Sequence, residues 1–174
     1  MTRLPAFDPA RLGPEARAVH RRITAGPRGA SAVDADGRLV GPFNAMLLSP
    51  ALGGPLQELG AAVRYGSRLS DRCREIAVLT VADHQASAFE WATHEAVARS
   101  HGITDAELAA LRSGESPFDD PQEAAVLRVA RALTRRGDLD DDEYGLLDPD
   151  LVFELTTLVG YYTTLALQLR VFRV

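Results

Sequence analysis

The sequence predicts an all-α helical bundle, and three observations carry that expectation. Helix-start signals recur along the chain, with Asp, Ser or Thr standing before a proline, an apolar run, or a glutamate three residues on. Between these signals the apolar residues fall at helical spacing, and several runs close on glycine. No β-hairpin signal appears, and no segment repeats at a fixed period.

Taken in order, Asp8-Pro9 reads as an N-cap with proline in the first helical position, opening a helix toward Thr24. Gly26 to Gly41 gathers glycine, proline, serine and aspartate and reads as a loop. Within it, Asp34-Ala35-Asp36-Gly37 suits a turn; a calcium loop would need more ligands and a terminal glutamate. Pro42 to Leu48 is a short apolar segment stopped by Ser49-Pro50, and helical spacing resumes from Ala51 to about Tyr65, with Gly66 as the stop. Ser70 caps the next helix, which carries Ile76, Leu79 and Val81, and the polar Asp83-His84-Gln85 interrupts it.

A further helix runs from Ala86 to Ser100 and ends at Gly102. Thr104 with Glu107 forms a capping-box pattern that starts a short helix, and Asp120-Pro121 with Glu123 starts another that runs to about Arg136. Asp138, Asp140, Asp141, Asp142 and Glu143 look at first like a hard-cation site. Beside a helix start, capping and the helix dipole account for them better. Asp148-Pro149 opens a final long helix.

The 174 residues are most economically one domain, with residues 1–40 an N-terminal helix and loop and 41–174 the core. A net charge of −5 argues against a nucleic-acid partner, and the arginines from Arg17 to Arg22 and from Arg131 to Arg136 are spaced as solvated helix faces. The single cysteine, Cys73, excludes an intrachain disulfide and a cysteine-only zinc site, and suits a small buried hydrophobe. The N-terminus lacks the apolar stretch of a secretory signal. Leu151 to Leu169, the closest approach to a membrane span, is interrupted by Glu154, threonines and Gln168. No membrane partner and a cytoplasmic location are therefore expected.

Glu75, His84, Glu90 and His94 place four proton-handling groups within twenty residues. Glu90 and His94 lie one helical turn apart and can approach each other directly, either as an orienting pair in a pocket or as an exposed ion pair. Glu75 is nineteen residues from His94, about 28 Å along a straight helix. They can share a pocket only if the chain folds back, for which Asp83-His84-Gln85 is the natural break, or if neighbouring helices or subunits bring them together. No metal is expected: the spacing is Glu-x-x-x-His where di-iron bundles use Glu-x-x-His, no second copy exists, and His-Glu-x-x-His is absent. Ser87 and Cys73 lack the strained elbow and ordered base of an activated nucleophile.

From about Gly41 to its C-terminus the chain resembles the carboxymuconolactone decarboxylase family, which also contains alkyl hydroperoxidase D. The resemblance rests on Gly41-Pro42-Phe43-Asn44-Ala45-Met46-Leu47, Ser49-Pro50, Leu69-Ser70-Asp71-Arg72, Arg74-Glu75-Ile76-Ala77-Val78-Leu79, Phe89-Glu90-Trp91 with His94, and Leu158-Val159-Gly160-Tyr161-Tyr162. It implies an all-α fold of the alkyl hydroperoxidase D-like type, whose central helical hairpin carries the site, assembled as a homotrimer or homohexamer. In the hydroperoxidase branch a helix-start glutamate is followed twelve and fifteen residues later by two cysteines, and nineteen residues later by a histidine. Counted from Glu75, those positions hold Ser87, Glu90 and His94. Disulfide cycling needs both thiols, so the resemblance points to the decarboxylase branch.

That branch implies a lyase of aromatic-compound catabolism that uses no cofactor and acts by proton transfer on a small carboxylate or lactone. Under it, His94 is the proton donor, Glu90 orients it, Glu75 completes the catalytic set, and Arg72, Arg74 or a neighbouring subunit's arginine holds the substrate carboxylate. His84, Ser87 and Trp91 are candidate pocket residues, as are Gly41 to Leu48 and Tyr161-Tyr162. The alternatives are a hydroperoxidase-type redox protein, disfavoured by the missing cysteines, and a non-catalytic oligomeric helical protein in which the polar cluster sets register.

Overall fold

The computed structural model describes residues 2–174. Among them the ordered elements are helical, and the one extended pairing is an isolated bridge between Val33 and Leu39. The fold is therefore all-α, as the capping signals predict. The described residues form two compact units, one of residues 2–62 with 167–174 and one of residues 63–166.

In the first unit, Asp8 caps only a 3-10 turn, Pro9–Arg11, and helix α1 spans Pro14–Ala25. The expected single helix from Pro9 is thus split. Proline at position 14 pushes the preceding residue out of the helical region, and Gly13 is extended at ψ 166°. The Gly26–Gly41 loop contains a second 3-10 turn, Gly29–Ser31, and the expected turn at Asp34, whose carboxylate accepts from the N–H groups of Asp36 and Arg38 at 2.9 Å each. Helix α2, Pro42–Ala45, runs into a 3-10 turn at Met46–Leu48, and α3, Pro50–Tyr65, follows the Ser49-Pro50 stop. The last turn of α3 belongs to the second unit.

Helix α4, Asp71–His84, is the axis of the second unit. Ser70 caps it by accepting from the Cys73 N–H, and every residue from Cys73 to Ala82 is buried. A helix buried on all sides must be covered all round, and α4 packs against α5 (Ala88–Ser100), α6 (Asp105–Ser113) and α7 (Pro121–Arg136). The break between α4 and α5 falls at the expected polar interruption, so the two form the central hairpin. Gln85 and Ser87 donate their N–H groups to the carbonyls of Val81 and Ala82, and Ala86 turns the chain with a left-handed φ of 50°.

The remaining starts follow the sequence signals. Thr104 with Glu107 and Asp140 with Glu143 form reciprocal capping boxes on α6 and on the short α8, Asp141–Tyr144, and Asp120 caps α7. The acidic turn is thus a cap, as the dipole argument predicts. Helix α9, Pro149–Phe172, closes the chain. No helix among the described residues is long and apolar enough to cross a membrane.

Candidate active site

The α4–α5 hairpin brings Glu75 and His94 together. Glu75 lies in the second turn of α4, is fully buried, and accepts a hydrogen bond at 2.7 Å from the Nδ1 of His94 on α5. His94 is itself buried. Donation from Nδ1 to a carboxylate leaves Nε2 as the nitrogen available for chemistry and fixes the plane of the ring. The edge of the Tyr162 ring from α9 supports it, with ring centroids 5.1 Å apart and planes at 86°. Tyr161 stands at right angles to Tyr162 at 5.2 Å. Burial pushes the Tyr162 hydroxyl well above its usual range, with Tyr161 and Glu75 adding to the shift, Arg64 opposing it, and Glu90 adding a little more.

The second oxygen of Glu75 faces two guanidinium groups. Arg64, in the last turn of α3, brings Nη1 to 3.6 Å, and Arg74 brings Nε to 3.9 Å. Neither is a hydrogen bond, and that oxygen has no hydrogen-bond partner. A fully buried carboxylate between two cations and an imidazole is held by charge rather than by solvent.

Glu90 does not orient His94: the imidazole's partner is Glu75, on the other arm of the hairpin. Glu90 is buried at 3% exposure, and neither of its oxygens has a hydrogen-bond partner. Burial pushes its carboxyl up to about 7, with Ser87 working in the opposite direction. Ser87 is half-buried at the N-cap of α5 and makes no side-chain cap bond. Trp91 is buried with the Arg112 guanidinium over its ring at 4.0 Å, a cation–π contact.

Other sequence candidates are committed elsewhere. Arg72 binds Glu123 at 2.6 Å and Glu107 at 2.8 Å, and donates to the carbonyl of Gly102, tying the start of α4 to α6 and α7. Arg74 is paired with Asp71. His84 is exposed, nine residues beyond Glu75 and about 13 Å further along α4. There it lines a separate cavity of about 50 Å³ with Asp83, Thr80, Arg131 and Arg135. Cys73 is buried, and burial raises its thiol pKa, so it is a small core residue. No group of three or more metal-ligating side chains occurs among the described residues.

Sequence reasoning missed Arg64. Its only local signal is a lone cation closing the apolar Gly60-Ala61-Ala62-Val63 turn, and its partner comes from the next helix.

Residues 50–132, which span α3 to most of α7 and hold Glu75, Glu90 and His94, match the family model described as carboxymuconolactone decarboxylase family. Over that stretch the chain is similar to the carboxymuconolactone decarboxylase family. Two solved structures share its fold. One is a protein of unknown function from Agrobacterium tumefaciens, described as a candidate antioxidant defence protein AhpD. It is 21% identical with a TM-score of 0.66, covering 77% of this chain and 96% of that one. The other is an uncharacterized peroxidase-related protein from Silicibacter sp. TM1040, 13% identical with a TM-score of 0.74, covering 99% of this chain and 90% of that one. At these identities the likeness is one of fold. No curated protein matches the chain significantly.

Proposed function

We propose that this chain is a cofactor-independent lyase of the carboxymuconolactone decarboxylase type that acts by proton transfer on a small carboxylated lactone. The observation that carries this is the 2.7 Å bond between His94 Nδ1 and the fully buried Glu75. It orients one imidazole and leaves Nε2 to exchange a proton with a substrate. Loss of CO2 from a conjugated lactone breaks one carbon–carbon bond, and its electron pair moves toward the ring carbonyl oxygen. A proton from His94 Nε2 then completes the product at carbon, and Glu75 stabilises the imidazolium that carries it. Arg64 supplies a cation near the pair for the substrate carboxylate.

The position of two cysteines in the redox branch is held by Ser87 and Glu90, and Cys73 is buried without a second thiol. Thiol-dependent peroxidase activity is expected to be absent, and any residual peroxide consumption should be the same in Cys73→Ser. A peroxidase activity abolished by Cys73→Ser would revive the redox alternative.

The working form is a homotrimer or homohexamer under this proposal. Phe153, Thr156, Gly160 and Thr164 leave one stripe of α9 exposed in the second unit, with Phe153 at 72%, and a second copy would cover it.

The purified protein should release CO2 from carboxymuconolactone or a related lactone. His94→Ala should lower kcat by roughly 100-fold or more, the usual scale for losing a positioned acid–base group. Turnover that survives His94→Ala unchanged would remove His94 from the mechanism.

A further inference from the structure

Glu90 has an ordinary use that the fold leaves open. Ser87-Ala88-Phe89-Glu90 carries the same capping-box spacing as Thr104 to Glu107 and Asp140 to Glu143. In those two cases the cap residue and the glutamate exchange hydrogen bonds in both directions. At α5 neither bond forms. The Ser87 side chain caps nothing, and its N–H donates instead to the Ala82 carbonyl at 2.9 Å. Glu90 turns inward, to 3% exposure, with both oxygens unpartnered and no ion pair among the described residues.

Burial without a cation disfavours the carboxylate more than the nearby Ser87 hydroxyl favours it, and the group gains a proton instead. The titratable groups around it reinforce this. The Tyr162 hydroxyl of α9, which burial holds as the phenol, feels the Glu90 carboxylate as a repelling charge. His94, one turn on, has its Nδ1 taken by Glu75 of α4, and the Arg64 and Arg74 guanidiniums approach Glu75. Glu90's carboxyl accordingly titrates at about 7.

We propose that Glu90 rests as an uncharged carboxylic acid and donates its O–H to the substrate carbonyl oxygen on which negative charge develops. This deepens the lyase assignment above and rests on it. The substrate must then present a lactone or conjugated carbonyl beside the carboxylate it loses. As the carbon–carbon bond to CO2 breaks, its electron pair reaches that oxygen, and the Glu90 hydrogen bond strengthens as the charge grows. His94 supplies the proton at carbon, and Glu90 keeps its own.

Two measurements on the full chain test this. In difference infrared spectra taken across pH, the wild type should show a carboxylic-acid band that disappears near pH 7 and that Glu90→Gln lacks. A Glu90 already ionised at pH 5.5 would overturn the proposal whatever the activity. In steady-state assays with carboxymuconolactone, Glu90→Ala should lose roughly 100-fold in kcat, the scale for one oxyanion donor. Glu90→Gln, whose amide donates at every pH, should recover part of that loss and should lack the wild-type decline in kcat above pH 7. A Glu90→Gln profile with the wild-type alkaline decline would also overturn it. If no lactone is turned over, the lyase assignment falls, and the infrared band still decides the state of Glu90.

Discussion

Glu90 links the site to stability through its proton. Its folded pKa of about 7 lies above the ordinary value near 4.3, so the folded state holds the proton more tightly than the unfolded chain. The sign follows: below about pH 4 the group is neutral in both states and neutral to stability. As pH rises toward 7 the unfolded chain gains by ionising, and stability falls until the folded carboxyl ionises too. Glu90→Gln removes that penalty. Its melting temperature should exceed the wild type's at pH 8, by the equivalent of about 4 kcal/mol at most, and match it at pH 4. Thermal unfolding of both proteins at the two pH values checks this, and an unchanged difference across pH would contradict a buried neutral acid.

At this same scale the sequence was legible for some residues and not for others. Glu75 and His94 could be read as site partners because nineteen residues with a polar break imply a hairpin. Glu90 was paired with His94 because spacing within one helix is visible and contacts across helices are not. The structure gives the imidazole to Glu75 instead. Arg64 was invisible for the same reason, since its carboxylate lies on α4.

At the scale of elements, the helix starts were the most legible feature because capping is a local interaction between residues two or three apart. Ser70, Thr104, Asp120 and Asp140 all bond to the N–H groups their positions predict. The split at Pro14 came from the restriction that proline places on Gly13, which overrides a good start signal at Asp8. Helix α4 hides its environment from periodicity because it is buried on every side and shows no polar face. One close approach at this level is set by glycine. A Cβ on Gly53, in the first turn of α3, would stand 2.0 Å from the Met46 carbonyl oxygen and 2.7 Å from its carbon. Both are backbone atoms, so Gly53→Ala should destabilise the protein by roughly 1–3 kcal/mol or more. Urea unfolding measures it, and a stability within 0.5 kcal/mol of wild type would show that the α3 start can shift freely.

At the scale of the whole molecule, the exposed stripe of α9 argues for assembly. Burying Phe153 against a second copy would remove apolar surface that a monomer leaves in water. Light scattering during size exclusion should give a trimer or hexamer mass, and Phe153→Glu should shift it toward monomer. A wild-type monomer at micromolar concentration would contradict the proposed assembly. The family resemblance was legible from motif order, and the motifs that carry Glu75, Glu90 and His94 lie on the α4–α5 hairpin. The substrate was not, because pocket shape depends on side chains from several helices at once.

The central claim is that His94, held by Glu75, moves a proton to carbon. Turnover of carboxymuconolactone in D2O, followed by mass spectrometry of the product, tests it most directly. The wild type should place one deuteron on the carbon that loses CO2 or on its conjugated terminus. His94→Ala should form that product roughly 100-fold more slowly while retaining its fold by circular dichroism. Deuterated product formed by His94→Ala at the wild-type rate would contradict the account.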